Sequence, residues 1–243
     1  MLRRIAKILL FFTLAMCTPA LGQGNVHFGL HGSYTINWPH FEQRDLVSSV
    51  NLFPSQSASG GLDISFFISE QASIGTGFRL RSQYIRASAN DPNDPSQRIT
   101  SSDKFPLIEL PLKFAIRQHV RGRFSVKQEF AIEIVITGSS VIDSIPFNPN
   151  RSFTAIASPD RNFNVSLMAG AGVEYRSKTG FRFDLIAEYH QGVGNTIEVG
   201  RFEFQSPDQS FVLPVISDLS YFSIRLGVSI PADKFSDLAH FIF

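Results

Sequence analysis

The stretch Val26-His27-Phe28-Gly29-Leu30-His31-Gly32-Ser33-Tyr34-Thr35-Ile36-Asn37-Trp38 decides the fold. Val26, Phe28, Leu30, Tyr34, Ile36 and Trp38 occupy one parity. His27, Gly29, His31, Ser33, Thr35 and Asn37 occupy the other. Side chains of a strand point to opposite faces with period two, so this ribbon has one apolar face and one polar face. Seven further stretches read the same way: 61–68, 74–84, 107–117, 123–137, 163–176, 181–190 and 221–230. The shortest, 61–68, extends back through Ser57–Gly60 if it is to match the others.

The polar faces carry the acids Asp63, Glu109, Glu129, Glu133, Glu174, Asp184 and Glu188. They also carry the bases Arg79, Arg81, Lys113, Arg117, Lys127, Arg176, Arg182 and Arg225, together with His190. The two signs nearly balance, and the apolar faces hold almost no charge; Gln128 is their main polar intruder. A sandwich scatters its surface charges in water, and nothing requires their signs to match. A closed barrel in lipid turns its apolar face outward and must neutralise what it encloses, because an unpaired buried charge is very costly. The expected fold is therefore all-β: an eight-stranded antiparallel up-and-down transmembrane barrel. Most stretches reach the roughly 9–11 residues that a tilted membrane-spanning strand needs. Aromatics gather near their ends, with Trp38, Tyr84, Phe163 and Phe222 at one rim and Phe28, Phe124, Tyr175 and Phe181 at the other, as in interfacial girdles.

Connections alternate in length. Segments 39–57, 86–104, 138–162 and 191–218 are long and rich in Pro, Asn, Ser and Asp; 69–72, 118–122 and 177–180 are short turns. Outer-membrane barrels separate long external loops from short periplasmic turns in this manner. Loops beyond about 12–15 residues are usually functional, so the external end is where a protein or surface ligand is expected to bind.

Residues 1–22 read as a secretory signal. Arg3, Arg4 and Lys7 precede an apolar run from Ile8 to Met16 that is too short to span a bilayer as a helix, and Ala20-Leu21-Gly22 places cleavage before Gln23. Residues 23–243 then form the barrel, with 231–243 as a periplasmic tail. Cys17 offers a lipoprotein alternative, but Met16 fits a lipobox poorly. A mature chain from Gln23 has no cysteine, hence no disulfide and no thiolate metal site. It holds two more acids than bases, and no basic field suits nucleic acid. No cofactor, metal or catalytic residue is expected.

Three stretches resemble the PorT-type small outer-membrane barrels, relatives in shape of OmpX and the OmpA transmembrane domain. They are Phe105-Pro106-Leu107-Ile108-Glu109-Leu110-Pro111-Leu112-Lys113, Ala169-Gly170-Ala171-Gly172-Val173-Glu174-Tyr175 and Phe222-Ser223-Ile224-Arg225-Leu226-Gly227-Val228. The resemblance implies a monomeric outer-membrane barrel in contact with lipid, of a group some members of which serve secretion or surface assembly. Such barrels usually end on an aromatic in the last strand. Here about a dozen residues follow Ile230, so either 231–243 is an appendage or Phe241 and Phe243 belong to a displaced final strand.

Pro111 falls on the polar face of an inner strand, where it removes a ladder hydrogen bond. It marks a distortion of the wall, or else a weak point through which the barrel opens to lipid. Three other classes compete with a binding barrel. An enzyme acting on lipid A or peptide would draw on His31 with Ser33, or His190 with Glu188, but no catalytic fingerprint accompanies them. A narrow pore conflicts with the many long charged side chains assigned to an interior that eight strands barely leave open. A soluble lipocalin-type barrel conflicts with the charge balance and with the loop asymmetry.

Overall fold

A computed structural model describes residues 26–37, 40–41, 50–91, 94–138, 143–148, 151–156, 159, 163–193, 197–205, 210–217 and 219–234. The signal segment 1–22, Trp38 and the end of the tail from residue 235 lie outside these residues.

The alternating stretches form eight staves: β1 (Val26–Asn37), β4 (Ser55–Phe67), β5 (Ala72–Asp91), β6 (Asp94–Arg121), β7 (Phe124–Thr137), β10 (Phe163–Arg176), β11 (Arg182–Val193) and β14 (Tyr221–Pro231). Each pairs antiparallel with its neighbours in the order β1-β4-β5-β6-β7-β10-β11-β14, and β14 returns to β1 in an unbroken register from His27↔Pro231 to Asn37↔Tyr221. The ring is closed, and no stave is left with an open edge in the wall. β4 reaches back to Ser55, past the extension that 61–68 required. β14 is the closing stave. Phe241 and Phe243 fall beyond the described residues, and a short helical turn at 232–234 follows Pro231.

The wall is inside out relative to a soluble core. Leu112 is 60% exposed and Leu226 64% exposed on the outer face, while Glu109 and Glu188 are fully buried and Arg79 is 2% exposed. Water would not stabilise that arrangement; hydrocarbon outside and paired charge inside do.

At one end, three tight connections join β4 to β5, β6 to β7 and β10 to β11. Gly122 (φ 60°) and Gly180 (φ 89°) adopt left-handed conformations there that a side chain would oppose. At the opposite, loop end, the four long segments are not the irregular connections expected of them. Hairpin β5–β6 continues far beyond the barrel, its register running from Ala72↔Ile116 through Ala89↔Ile99. Strand β3 (Val50–Leu52) pairs onto it. The other segments contribute β2 (His40–Phe41), β8 (Asp143–Asn148), β9 (Arg151–Ile156), β12 (Ile197–Gln205) and β13 (Ser210–Ser217), which assemble a second, five-stranded sheet in the order β2-β13-β12-β9-β8. Composition hid these strands. Pro, Ser and Asn sit among residues that still alternate, such as Val199, Phe202, Leu213 and Val215, all of them buried.

Along β5 and β6 the two faces exchange chemistry as the hairpin leaves the barrel. The inward residues run from Arg79, Arg81 and Gln83 to Ile85 and Ala87 on β5, and from Glu109 to Leu107 and Phe105 on β6; all are buried. The outward residues change from Leu80 and Ile108 to Arg86, Lys104 and Ser102, which are exposed. Tyr84 pairs with Lys104 at the crossing point, the ammonium 5.9 Å from the ring centroid. A wall in lipid needs the first pattern and a structure in water the second, so the inversion marks the outer limit of the hydrocarbon.

Pro111 interrupts the wall as a distortion. It keeps its partner Glu133 on β7, but the β5 register skips from Thr76↔Leu112 to Arg79↔Glu109. The Thr76 hydroxyl donates to the Pro111 carbonyl at 2.9 Å across the gap.

Close approach of staves sets a test. A Cβ on Gly172 would strike the Leu185 carbonyl and lie 2.7 Å from the Ile186 Cα, whereas one on Gly32 meets only the Ser59 carbonyl at 3.8 Å. Gly172→Ala is expected to lower stability by about 1–3 kcal/mol, and Gly32→Ala to leave it within about 0.5 kcal/mol. Urea midpoints of the refolded barrel in micelles measure both.

Candidate functional site

The polar parities of the eight staves converge in the lumen, and their charges form one connected lattice. In its upper tier, Arg81 donates through Nε to Glu109 at 3.0 Å, and its guanidinium lies 3.9 Å over the Tyr221 ring. The Tyr221 hydroxyl donates to Glu109 at 2.8 Å and accepts from Arg79 at 3.0 Å; its ring stacks on His190 at 3.9 Å. Arg79 crosses from β5 to Glu188 on β11 at 3.0 Å. His190 lies between two carboxylates, with Nδ1 2.7 Å from Glu133 and Nε2 3.3 Å from Glu188. Ser166 donates to Glu133 at 2.7 Å, and Ser223 to Glu188 at 2.9 Å.

The lower tier continues the pattern. Arg225 bridges Glu188 at 3.0 Å and Glu129 at 2.5 Å. Lys127 reaches Glu129 at 2.6 Å and Asp184 at 2.7 Å, and Lys113 reaches Asp63 at 2.8 Å. His31 Nδ1 lies 3.1 Å from the same Asp63. Nearest the turn end, Glu174 receives Arg117 at 2.9 Å and Arg182 at 2.5 Å. Both guanidiniums lie over the Phe67 ring, at 4.5 and 4.2 Å, and the His27 ring packs beside it, tilted by 51° with centroids 4.6 Å apart.

Fifteen of the sixteen residues expected in the lumen are brought together. The exception is Arg176. It ends β10 at the turn-end rim, its side chain is half exposed, and its partner is the exposed Glu70 at 3.2 Å. Parity placed Arg176 inward, but the barrel has ended by that residue and water solvates it. Without Arg176 the enclosed set holds seven carboxylates (Asp63, Glu109, Glu129, Glu133, Glu174, Asp184, Glu188) and seven cations (Arg79, Arg81, Lys113, Arg117, Lys127, Arg182, Arg225). Histidines left aside, the near-balance of the sequence thus becomes seven against seven among the described residues.

Tyr221 and Phe67 were not foreseen. Tyr221 is the first residue of the stretch 221–230 and carries no charge; Phe67 has apolar neighbours on both sides in Ser65-Phe66-Phe67-Ile68. Both lie on the inward parity, which was the available signal. Above the lattice, hydroxyl pairs line β1 and β4: Ser33 with Ser59 at 2.5 Å, Thr35 with Ser57 at 2.5 Å, and Ser55 donating to Asn37.

The enclosed space left over is small. A cavity of about 30 Å³ in the turn-end half touches His31, Asp63, Lys113, Glu129 and Arg225, room for about two waters. Of the two pairs considered from sequence, His190 and Glu188 are brought into contact at 3.3 Å. Ser33 is bonded to Ser59, and both ring nitrogens of His190 face carboxylates. Among the described residues no group of three His, Cys, Asp or Glu side chains is arranged to hold a metal ion.

No family model matches the sequence, and no curated protein matches it. Solved structures do. The chain is similar to the outer membrane protein OprG from Pseudomonas aeruginosa, with a TM-score of 0.51 at 9% identity over 85% of this chain and 96% of that one. It is also similar to Neisserial surface protein A (TM-score 0.49, 8% identity, 85% and 97% covered). A third is the outer membrane protein AlkL (TM-score 0.42, 11% identity, 84% and 87% covered). The likeness is one of fold: this is a small outer-membrane-type β-barrel.

Breaking the lattice should be costly. Glu188→Leu removes the buried carboxylate that Arg79, Arg225 and His190 share and is expected to destabilise the barrel by about 3–5 kcal/mol, whereas Arg176→Leu at the exposed rim should change stability by less than about 1 kcal/mol. Equilibrium unfolding in micelles compares the two.

Proposed function

We propose that this protein is a non-enzymatic integral barrel of the Gram-negative outer membrane, acting in binding, surface assembly or secretion through the structure at its loop end. The observation that carries the reading is the pairing of a lumen filled by ion-paired side chains with a five-stranded sheet at its loop end. A conduit needs an unobstructed axis; a docking platform needs rigidity and surface area. The sheet presents Val212 and Arg201 outward while Phe202, Leu213 and Val215 are buried. Its exposed face is where a protein or surface ligand would bind.

The resemblance to PorT-type barrels supports secretion or surface assembly over adhesion alone. The secretory reading of residues 1–22 supports export, with cleavage near Gly22-Gln23. The absence of catalytic work is supported by His190, which is fully buried and held by two carboxylates, beyond reach of a substrate outside the wall.

Two measurements test the proposal. Purified barrel in planar bilayers should give no steady conductance; a stable open channel would refute the filled lumen. In a deletion strain, the full chain should restore the lost surface or secretion phenotype. A variant with 197–217 replaced by a short turn should reach the outer membrane, show normal heat-modifiable mobility and fail to complement. Complementation by that variant would refute a role for the second sheet.

A further inference from the structure

The outer wall is not uniformly greasy near the turn end. Across five adjacent staves the outward residues form rows fixed by register. The lowest is Phe124–Tyr175–Phe183–Val228–Leu30, and above it run Val173–Leu185–Leu226–Gly32. Phe124, Tyr175 and Phe183 form a continuous aromatic ledge, with ring centroids 5.1 and 6.4 Å apart. Above the ledge the wall is recessed. Gly32 has no side chain, and the groove spans about 650 Å³ between Tyr175, Val173, Leu185 and Leu226.

Cations stand below this groove, at the turn ends of two of the three staves that carry the ledge. Arg123 precedes Phe124 and Arg176 follows Tyr175; the Arg176 amide donates to the Arg123 carbonyl at 2.9 Å. Lys178 follows in the β10–β11 turn, and all three are exposed. Glu70 is the acid that answers them, paired with Arg176. One polar side chain intrudes on the outer wall beside the groove: Gln128 is exposed opposite Ala171, a row above Val173. A carboxamide in hydrocarbon is unfavourable unless it is hydrogen-bonded.

We infer that this groove is a binding site for one anionic phospholipid of the leaflet at the turn end. An acyl chain lies in the recess at Gly32, the glycerol region packs on the aromatic ledge, and the phosphate is held by Arg123, Arg176 and Lys178. Charge complementarity selects the occupant: a second copy of this chain would bring the same cations against themselves, and an uncharged lipid would leave them unused. The inference needs the barrel to be in a membrane but not the platform role of the loop end, so the two fail separately.

Native mass spectrometry of the mature barrel in micelles tests it, with phosphatidylglycerol and phosphatidylcholine of identical acyl chains as probes. The wild type should retain one phosphatidylglycerol at concentrations where phosphatidylcholine is stripped. Arg123→Gln/Arg176→Gln/Lys178→Gln should reduce that preference by about fivefold per cation removed. Gly32→Leu, whose side chain points into the open groove, should abolish retention of both lipids. Heat-modifiable mobility on gels shows that each variant is folded; if the triple variant misfolds, Arg123→Gln alone carries the charge test. Equal retention of the two lipids by the wild type, or unchanged preference in the charge variant, overturns the proposal. So does retention surviving Gly32→Leu, or a dimer that Gly32→Leu dissolves, which would make the groove a contact between copies.

Discussion

Enclosed charge must cancel, and in this barrel it also has to reach across. Several lumen pairs join staves that are not neighbours. Arg79 on β5 meets Glu188 on β11, the stave facing it across the ring. Arg225 on β14 meets Glu129 on β7, Arg117 on β6 meets Glu174 on β10, and Lys113 on β6 meets Asp63 on β4. Backbone hydrogen bonds hold each stave only to its neighbours, so a ladder alone permits the ring to flatten. These ion pairs act as struts across it. Individually they contribute little net stability over an apolar filling. Their value lies in fixing the cross-section and register, since a one-residue slip would carry the charges of a stave into lipid.

The wall and the loop end obey one rule applied to two solvents. Within lipid the backbone can be satisfied only by closure, with greasy residues outside. Beyond the lipid, β5 and β6 keep the same pairing and the same alternation but exchange which parity is apolar. Ile85, Ala87, Phe105 and Leu107 turn inward, and Val199, Phe202, Leu213 and Val215 are buried in the second sheet at the same end. The buried material therefore changes from ionic to apolar along the axis without any break in the strands. A rigid hairpin runs through both regions, so the upper sheet rests on a support that is itself braced by the lumen lattice.

Alternation made the eight staves legible because its period is a direct consequence of strand geometry. The lumen set followed from it, since inward parity plus charge names Arg79, Glu109, Glu188 and the rest. Parity has no memory of where the barrel stops, and that is why Arg176 was placed inside. The same limit concealed the second sheet: its strands are short, interrupted by Pro146 and Pro214, and lie in segments whose composition reads as loop. Which acid meets which base was not legible either. A partner two to four staves away depends on the radius of the ring and on stagger, neither of which is written in one stretch of sequence. Tyr221 shows the cost of reading the inward face by charge alone, because its hydroxyl and ring face are both used by the lattice.

A barrel filled in this way has little freedom to act through its axis. Opening a path would separate buried pairs such as Arg79–Glu188 and Arg225–Glu129. Small fluctuations cannot do so, since each freed charge would be left desolvated. Whatever this protein recognises must then be met at its ends or on its outer wall, where the sequence departs from the minimal requirements of a spanning cylinder. Those departures are few and localised: the ordered sheet at one end, and at the other the arginines and the notch at Gly32 beside an aromatic ledge. A cylinder under selection for spanning alone would need none of them.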